Sequence, residues 1–303
     1  MALVFVLFAL FASVFTVGKT ALEFTQPFFL VGSRMLLAGS ILLTYEYFKN
    51  PGNLKIQKKH FKLILLLATF NIYLTNTFEF WGLQYLSSFK ACFIYSLSPF
   101  AAAIISYFVF SEKLSRKKWL GLSVGCVGFL PILIAQDSSE TGLNHVFFFS
   151  LAEIAVLAAC ISSVYGWIIL RQVVRDGGYS ALTANGYSML IGGSFALFHS
   201  AITESWDPIP TSNFTIFVET GLALIIISNF LAYNLYGYLL KRYSATFISF
   251  AGFTTPMFTA LFGWMFLGEV VTWQFYVSSV IVFSGLYLFN QEELKVTVET
   301  QNA

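Results

Sequence analysis

Four ionisable residues, Arg34, Glu79, Glu153 and Glu219, stand inside long apolar runs of this 303-residue chain. Charge at membrane depth is costly, so such residues meet each other, a water-filled cavity or a ligand pathway. Arg34 carries the planar fork that takes a carboxylate through two parallel bonds. Glu153 suits an amine or a proton. Two readings stay open. One is a polar vestibule around a small solute, with Arg34 on its carboxylate. The other is an internal Arg34–Glu79 pair, with Glu219 only reaching the interface.

Polar and aromatic residues accompany these charges. Tyr73, Asn76 and Glu79 are spaced by three and share one helical face, whereas Asn71 and Asn76, five apart, do not share a narrow groove of an α-helix. Asn229, Tyr233 and Asn234 form a comparable group later in the chain. Tyr95 and Ser98, and Tyr165 with Trp167, are further candidates to line the same space. Interhelical hydrogen bonding is the plainer role for the asparagines. Pro99 and Pro256 lie mid-run, where proline removes a backbone donor and kinks a helix, and they are read as a pair of hinges.

The elements that must position these residues follow from composition. Hydrophobic residues make up 57% and charged residues 11% of the chain, against about 25% charged in soluble domains. Ten apolar segments of bilayer-spanning length are expected near 2–19, 28–48, 61–85, 89–110, 118–136, 146–170, 179–202, 214–239, 244–267 and 272–289. They are too long for barrel strands, so the fold class is an all-α integral membrane protein. The apolar opening reads as a retained first span and not a signal peptide. Cys92, Cys126 and Cys160 lie within apolar runs and suggest neither a disulfide framework nor a metal site.

The chain also states one pattern twice. Pro99, Glu112, Ser115 and Gly128 recur 157 residues on as Pro256, Glu269, Thr272 and Gly285. Asn71, Asn76 and Tyr85 recur at 158 as Asn229, Asn234 and Tyr243. Fourteen lysines and arginines fall on one side of the expected spans and only Lys19 and Lys90 on the other, which places both termini in the cytoplasm. Five spans per half then make a 5+5 inverted-topology repeat, a plan associated with secondary transporters. The expected divisions are a first repeat at 1–137, a second, inverted repeat at 146–290 and a polar, mobile cytoplasmic tail at 291–303, with Asp137–His145 as the seam. Glu112 and Glu269 are read as architectural, with Ser115 and Thr272 at helix N-termini.

Catalytic motifs find no support. Gly121-Leu-Ser-Val-Gly125 matches a nucleophile-elbow pattern but lies in a span, where Gly121, Gly125 and Gly128 read as a close-packing surface. No nucleophile–base pair or metal cluster falls at one depth, so the chain is not read as an enzyme.

The repeated stretch, with Pro99, Ser-Glu-Lys-Leu-Ser at 111–115, Trp119-Leu-Gly121 and Gly128, echoed by Pro256 and Leu-Gly-Glu at 267–269, resembles the EamA-like, ten-helix branch of the drug/metabolite transporter superfamily. Ser278 stands where the second copy would carry a glycine. The resemblance implies a central cavity lined by spans 1–4 and 6–9, and secondary transport of a small solute by alternating access, without cofactor. The opening, Phe15-Thr-Val-Gly-Lys19 and Pro27 through Arg34, is similar to a bacterial subgroup that imports S-adenosylmethionine. Exchange for S-adenosylhomocysteine, or export of amino acids or drugs, stays open, as do proton coupling and a monomer or homodimer in the cell (inner) membrane. The candidate substrate-binding set is Arg34, Tyr73, Asn76, Glu79, Tyr95, Ser98, Glu153, Tyr165, Asn229 and Tyr233. Nucleic acid is not expected as a partner.

Overall fold

A computed structural model describes residues 2–110, 115–134, 145–146, 149–175, 177–232, 235, 239 and 251–301. The first elements are α1 (Ala2–Leu22) and α2 (Pro27–Lys49), within three residues of the expected first two spans. The third span is composite: α3 (Phe61–Leu67), a π-helical turn at Ala68–Leu74, then α4 (Thr75–Tyr85). The fourth is α5 (Ser88–Tyr95) and α6 (Ser98–Phe110), and the fifth is α7 (Arg116–Gly128) and α8 (Leu130–Ile134). A two-stranded hairpin follows, β1 (His145–Val146) with β2 (Phe149–Ser150). Then come α9 (Leu151–Arg175), α10 (Ala181–Thr203) and α11 (Phe214–Leu224), which passes into a second π-helical stretch at Ile225–Ala232. The chain closes with α12 (Thr255–Phe262), a π turn at Gly263–Leu267 and α13 (Trp273–Gln301). Among the described residues six helices are long and apolar enough to cross a membrane.

Two boundaries differ from expectation. The sixth span starts at Leu151, because the paired strands at His145–Val146 and Phe149–Ser150 precede it. The last helix, expected to end near 289, continues as far as Gln301. Of the seam, only His145 is described; Glu112, Tyr233, Asn234 and Tyr243 lie outside the described residues.

The chain forms two compact units, each combining segments from both sequence halves. Unit 1 holds Met1–Val17, Tyr85–Ile154 and Ile226–Ala303; unit 2 holds Gly18–Gln84 and Ala155–Ile225. In unit 1 a core of Phe89, Phe93, Phe129, Phe253 and Phe275, with Phe100 against Phe289, packs edge-on and tilted, geometries that suit the aromatic quadrupole. The glycines of α7 lie against α13. A Cβ on Gly285 would stand 2.5 Å from the Gly125 amide nitrogen and 2.8 Å from the Gly121 carbonyl. Backbone cannot swing aside as a side chain can, so Gly285→Ala must part the helices. We expect a loss of about 1–3 kcal/mol, measured as a lower unfolding midpoint in detergent. Val280→Ala, on the exposed face of α13, should leave that midpoint unchanged. Ser278, at the expected glycine position, is fully buried and accepts the Ile132 amide at 3.1 Å, just beyond the break between α7 and α8.

Unit 2 is built on α2 and α10. A Cβ on Gly39 would meet the Gly186 carbonyl at 2.8 Å, and one on Gly193 the Gly32 carbonyl at 3.1 Å. Small residues of this kind let membrane helices pack backbone to backbone. Each helix of the pair ends in a carboxylate that reaches the start of the other. Glu204, just after α10, accepts the Phe28 and Phe29 amides at 2.7 and 2.9 Å. Glu46, near the end of α2, accepts the hydroxyl of Ser180, the N-cap of α10, at 3.1 Å. The free amides and dipole of a helix start favour an anion there. Glu46 and Glu204 are 158 residues apart, the interval that separates Asn71 from Asn229.

Candidate functional site

Arg34 is 4% exposed on α2 and belongs to unit 2. Its Nη2 donates to Asn76 Oδ1 at 2.8 Å, and its guanidinium lies 4.8 Å from the centre of the Phe80 ring. Asn76 and Phe80 are one turn apart on α4, so one helix face offers both an acceptor for the guanidinium edge and a ring for its plane. Glu79, between them in sequence, is half-buried on the same helix.

The π turn below this face has a local cause and a local effect. Where α-helical bonds span four residues, π bonds span five, which brings residues five apart into register. Asn76 Nδ2 donates to the Ile72 carbonyl at 2.8 Å and to the Asn71 carbonyl at 3.4 Å, and Thr75 Oγ1 to the Phe70 carbonyl at 2.7 Å. Asn71 and Asn76, five apart and expected not to share a narrow groove, are joined across the π turn by the Asn76 side chain and the Asn71 backbone carbonyl. The wider turn needs room, which glycines supply. A Cβ on Gly166 of α9 would stand 2.5 Å from Asn71 Cβ, and one on Gly192 of α10 would stand 2.7 Å from the Ala68 carbonyl.

The other candidates of unit 2 line aromatic contacts nearby in sequence. Tyr73 hydrogen-bonds through its hydroxyl to His199 Nδ1 at 3.1 Å, and His199 stacks on Phe28 with centroids 4.0 Å apart. Tyr165 meets Phe70 edge-on at 4.9 Å. An open cavity of ≈ 330 Å³ lies among Glu23, Gln26, Gln84, Ser205, Thr211 and Ser212. Lys19, one of the two basic residues assigned to the outer side, donates to the carbonyls of Leu83 and Gln84 at 2.9 and 3.3 Å, satisfying the last turn of α4.

Unit 1 holds Tyr95, Ser98, Glu153 and Asn229. The fourth span breaks at Ser96–Leu97, immediately before Pro99. Hydroxyls take up the carbonyls released there: Ser96 bonds to Phe93 at 2.6 Å and Ser98 to Tyr95. Pro256 likewise follows a break, a 3₁₀ turn at Gly252–Thr254, where Thr254 and Thr255 bond to Ala251 and Gly252 at 2.7 and 2.6 Å. Tyr95 meets Phe15 edge-on, and Asn229 is buried within the second π stretch.

Glu153 does meet an ammonium, and it is that of Lys90. Lys90 Nζ stands 2.9 Å from Glu153 Oε1, with the two side chains 1% and 2% exposed. The other oxygen of Glu153 accepts the Ser150 amide at 2.7 Å, and Ser150 Oγ accepts the Glu153 amide at 3.2 Å. This is a reciprocal capping box. Glu269 acts away from the helix it precedes in sequence: it accepts the amide and hydroxyl of Ser88 at 2.6 and 2.7 Å, closing the start of α5. Gly268, with φ of +66°, turns the chain back for this, and Gly263 leaves space for the carboxylate. Ser115 caps its own helix, accepting the Lys118 amide at 3.3 Å.

Sequence reading passed over Glu46, Glu204, His199 and the burial of Lys90. For the first two a signal existed, the 158-residue interval between them. Lys90 is the second residue of the expected apolar run 89–110 and reads as a charge at the span's edge until its partner is seen.

Comparison with known proteins places the chain in a family. Residues 1–134 and 150–291 match the EamA-like transporter family. An S-adenosylmethionine/S-adenosylhomocysteine transporter of Chlamydia muridarum is 41% identical over 271 residues, covering 88% of this chain and 84% of that protein. A transporter of the same name from Chlamydia trachomatis is also 41% identical, covering 88% and 81%. A solved crystal structure with 13% sequence identity superposes with a TM-score of 0.66 over 97% of both chains and shares the fold. The chain belongs to the EamA-like transporter family and is a multi-pass membrane transporter, not an enzyme.

Proposed function

We propose that the protein exchanges S-adenosylmethionine for S-adenosylhomocysteine across the cell membrane by alternating access, as a 5+5 inverted repeat with both termini cytoplasmic. The observation that carries the substrate is the 41% identity to the Chlamydia transporters over most of the chain. The geometry supports it from the other direction. Both solutes end in an amino-acid carboxylate, and Arg34 is a buried guanidinium held on an aromatic face. The two solutes differ by one methyl and its sulfonium charge, so a site that grips the shared carboxylate accepts both. Spans broken before Pro99 and Pro256, and π turns around Asn71 and Asn229, support paired moving parts in the two halves.

The test is counterflow in proteoliposomes loaded with unlabelled S-adenosylmethionine. Labelled S-adenosylmethionine should enter saturably and be displaced by S-adenosylhomocysteine. Entry no greater than in protein-free liposomes, from folded protein, would remove the adenosyl substrate and leave amino-acid or drug export as the reading.

A further inference from the structure

We propose that Asn76 is a positioning residue for Arg34, and that the π turn at Ala68–Leu74 fixes Asn76 for that task. This rests on the reading of Arg34 as the carboxylate anchor. A guanidinium only donates, and a backbone carbonyl only accepts. The amide oxygen of Asn76 must therefore face Arg34, and its nitrogen the carbonyls of Ile72 and Asn71, as the distances of 2.8, 2.8 and 3.4 Å have it. Both ends of the side-chain amide are spoken for, so Asn76 holds the guanidinium instead of meeting the solute.

The hold is directional. Asn76 fixes one edge of Arg34, and the Phe80 ring, 4.8 Å away, fixes its plane. Two-point capture of a carboxylate requires the two planar groups to align, so setting the plane sets carboxylate affinity. The glycine notches opposite the π turn, Gly166 and Gly192, belong to the same device. In a regular α-helix Asn71, five residues back, would turn off the face of Asn76 and leave Ile72 as its one backbone acceptor, whereas the π turn supplies both carbonyls.

The experiment measures binding of S-adenosylmethionine and of its decarboxylated analogue to the purified full-length protein, by displacement of labelled S-adenosylmethionine. The wild type should prefer the carboxylate form. Arg34→Met should abolish the preference. Asn76→Leu should cut it about tenfold or more, the expected loss of one charge-assisted hydrogen bond, while affinity for the decarboxylated analogue holds. The double variant should lose no more than Arg34→Met alone, because Asn76 acts through Arg34. Asn76→Asp is the second variant where Asn76→Leu folds poorly. It keeps a polar partner for Arg34 but adds a carboxylate that competes with the solute's, so it too should cut the preference tenfold or more. If Arg34→Met abolishes the preference while Asn76→Leu and Asn76→Asp keep it, the positioning role is overturned and the anchor stands. A wild type without preference, or an Arg34→Met variant that retains it, overturns the anchor and the positioning role together.

Discussion

An inside-negative potential of about 100 mV should raise the steady-state accumulation of S-adenosylmethionine about 50-fold when S-adenosylhomocysteine is the exchanged solute. S-Adenosylmethionine carries a sulfonium and an ammonium against one carboxylate, whereas S-adenosylhomocysteine lacks the sulfonium. Each one-for-one exchange therefore moves one positive charge inward. That charge is worth about 2.3 kcal/mol per 100 mV, and about 1.4 kcal/mol is a factor of ten. The protein's own charges return to their starting places at the end of each cycle and add nothing to the charge moved, and of the buried ones Lys90 and Glu153 neutralise each other. The measurement uses liposomes loaded with S-adenosylhomocysteine, with a potassium gradient and valinomycin setting the potential. Accumulation should collapse to the level set by the solute gradients when potassium is equalised. Indifference to the potential would mean that a compensating ion travels with each exchange, and the simple exchanger would be excluded.

Apolar length made the spans legible. Pro27–Lys49 and Ser88–Phe110 lie within a residue or so of their expected bounds, because a bilayer demands the same length from every crossing. The breaks before Pro99 and Pro256 were equally readable, since proline both lacks the amide donor and crowds the preceding turn, so a helix running into it must break or bend. Less readable was what a polar group near a span end does. Lys90, Glu204 and Glu269 look alike in sequence, as loop charges. One is buried in an ion pair and two close helix starts far away in the chain, and only tertiary structure brings those partners near. The π turns hide for a different reason. Periodicity arguments assume 3.6 residues per turn, and a single widened turn leaves no mark on composition, although it brings the Asn71 carbonyl within reach of the Asn76 side chain.

Lys90→Met should cost the folded protein about 3–5 kcal/mol, the usual penalty for stranding one member of a buried ion pair. Glu153 would be left as an anion 2% exposed, with the Ser150 amide still bound but no cation beside it. Glu153→Gln should also destabilise, by stranding Lys90, while keeping an oxygen for the Ser150 amide. The double variant removes both charges and retains the cap, so most of the stability should return, as buried pairs often break even against neutral replacements. The check is a double-mutant cycle of unfolding midpoints in detergent. A loss below about 1 kcal/mol for Lys90→Met is what an exposed pair shows, and would mean that water reaches the pair. The stable double variant also separates two roles for a charge pair at membrane depth. Exchange at the wild-type rate would assign Lys90 and Glu153 to holding the starts of α5 and α9. Exchange lost from a protein of normal stability would mean that the pair opens and closes during transport, because only a working part can be missed by the cycle and not by the fold.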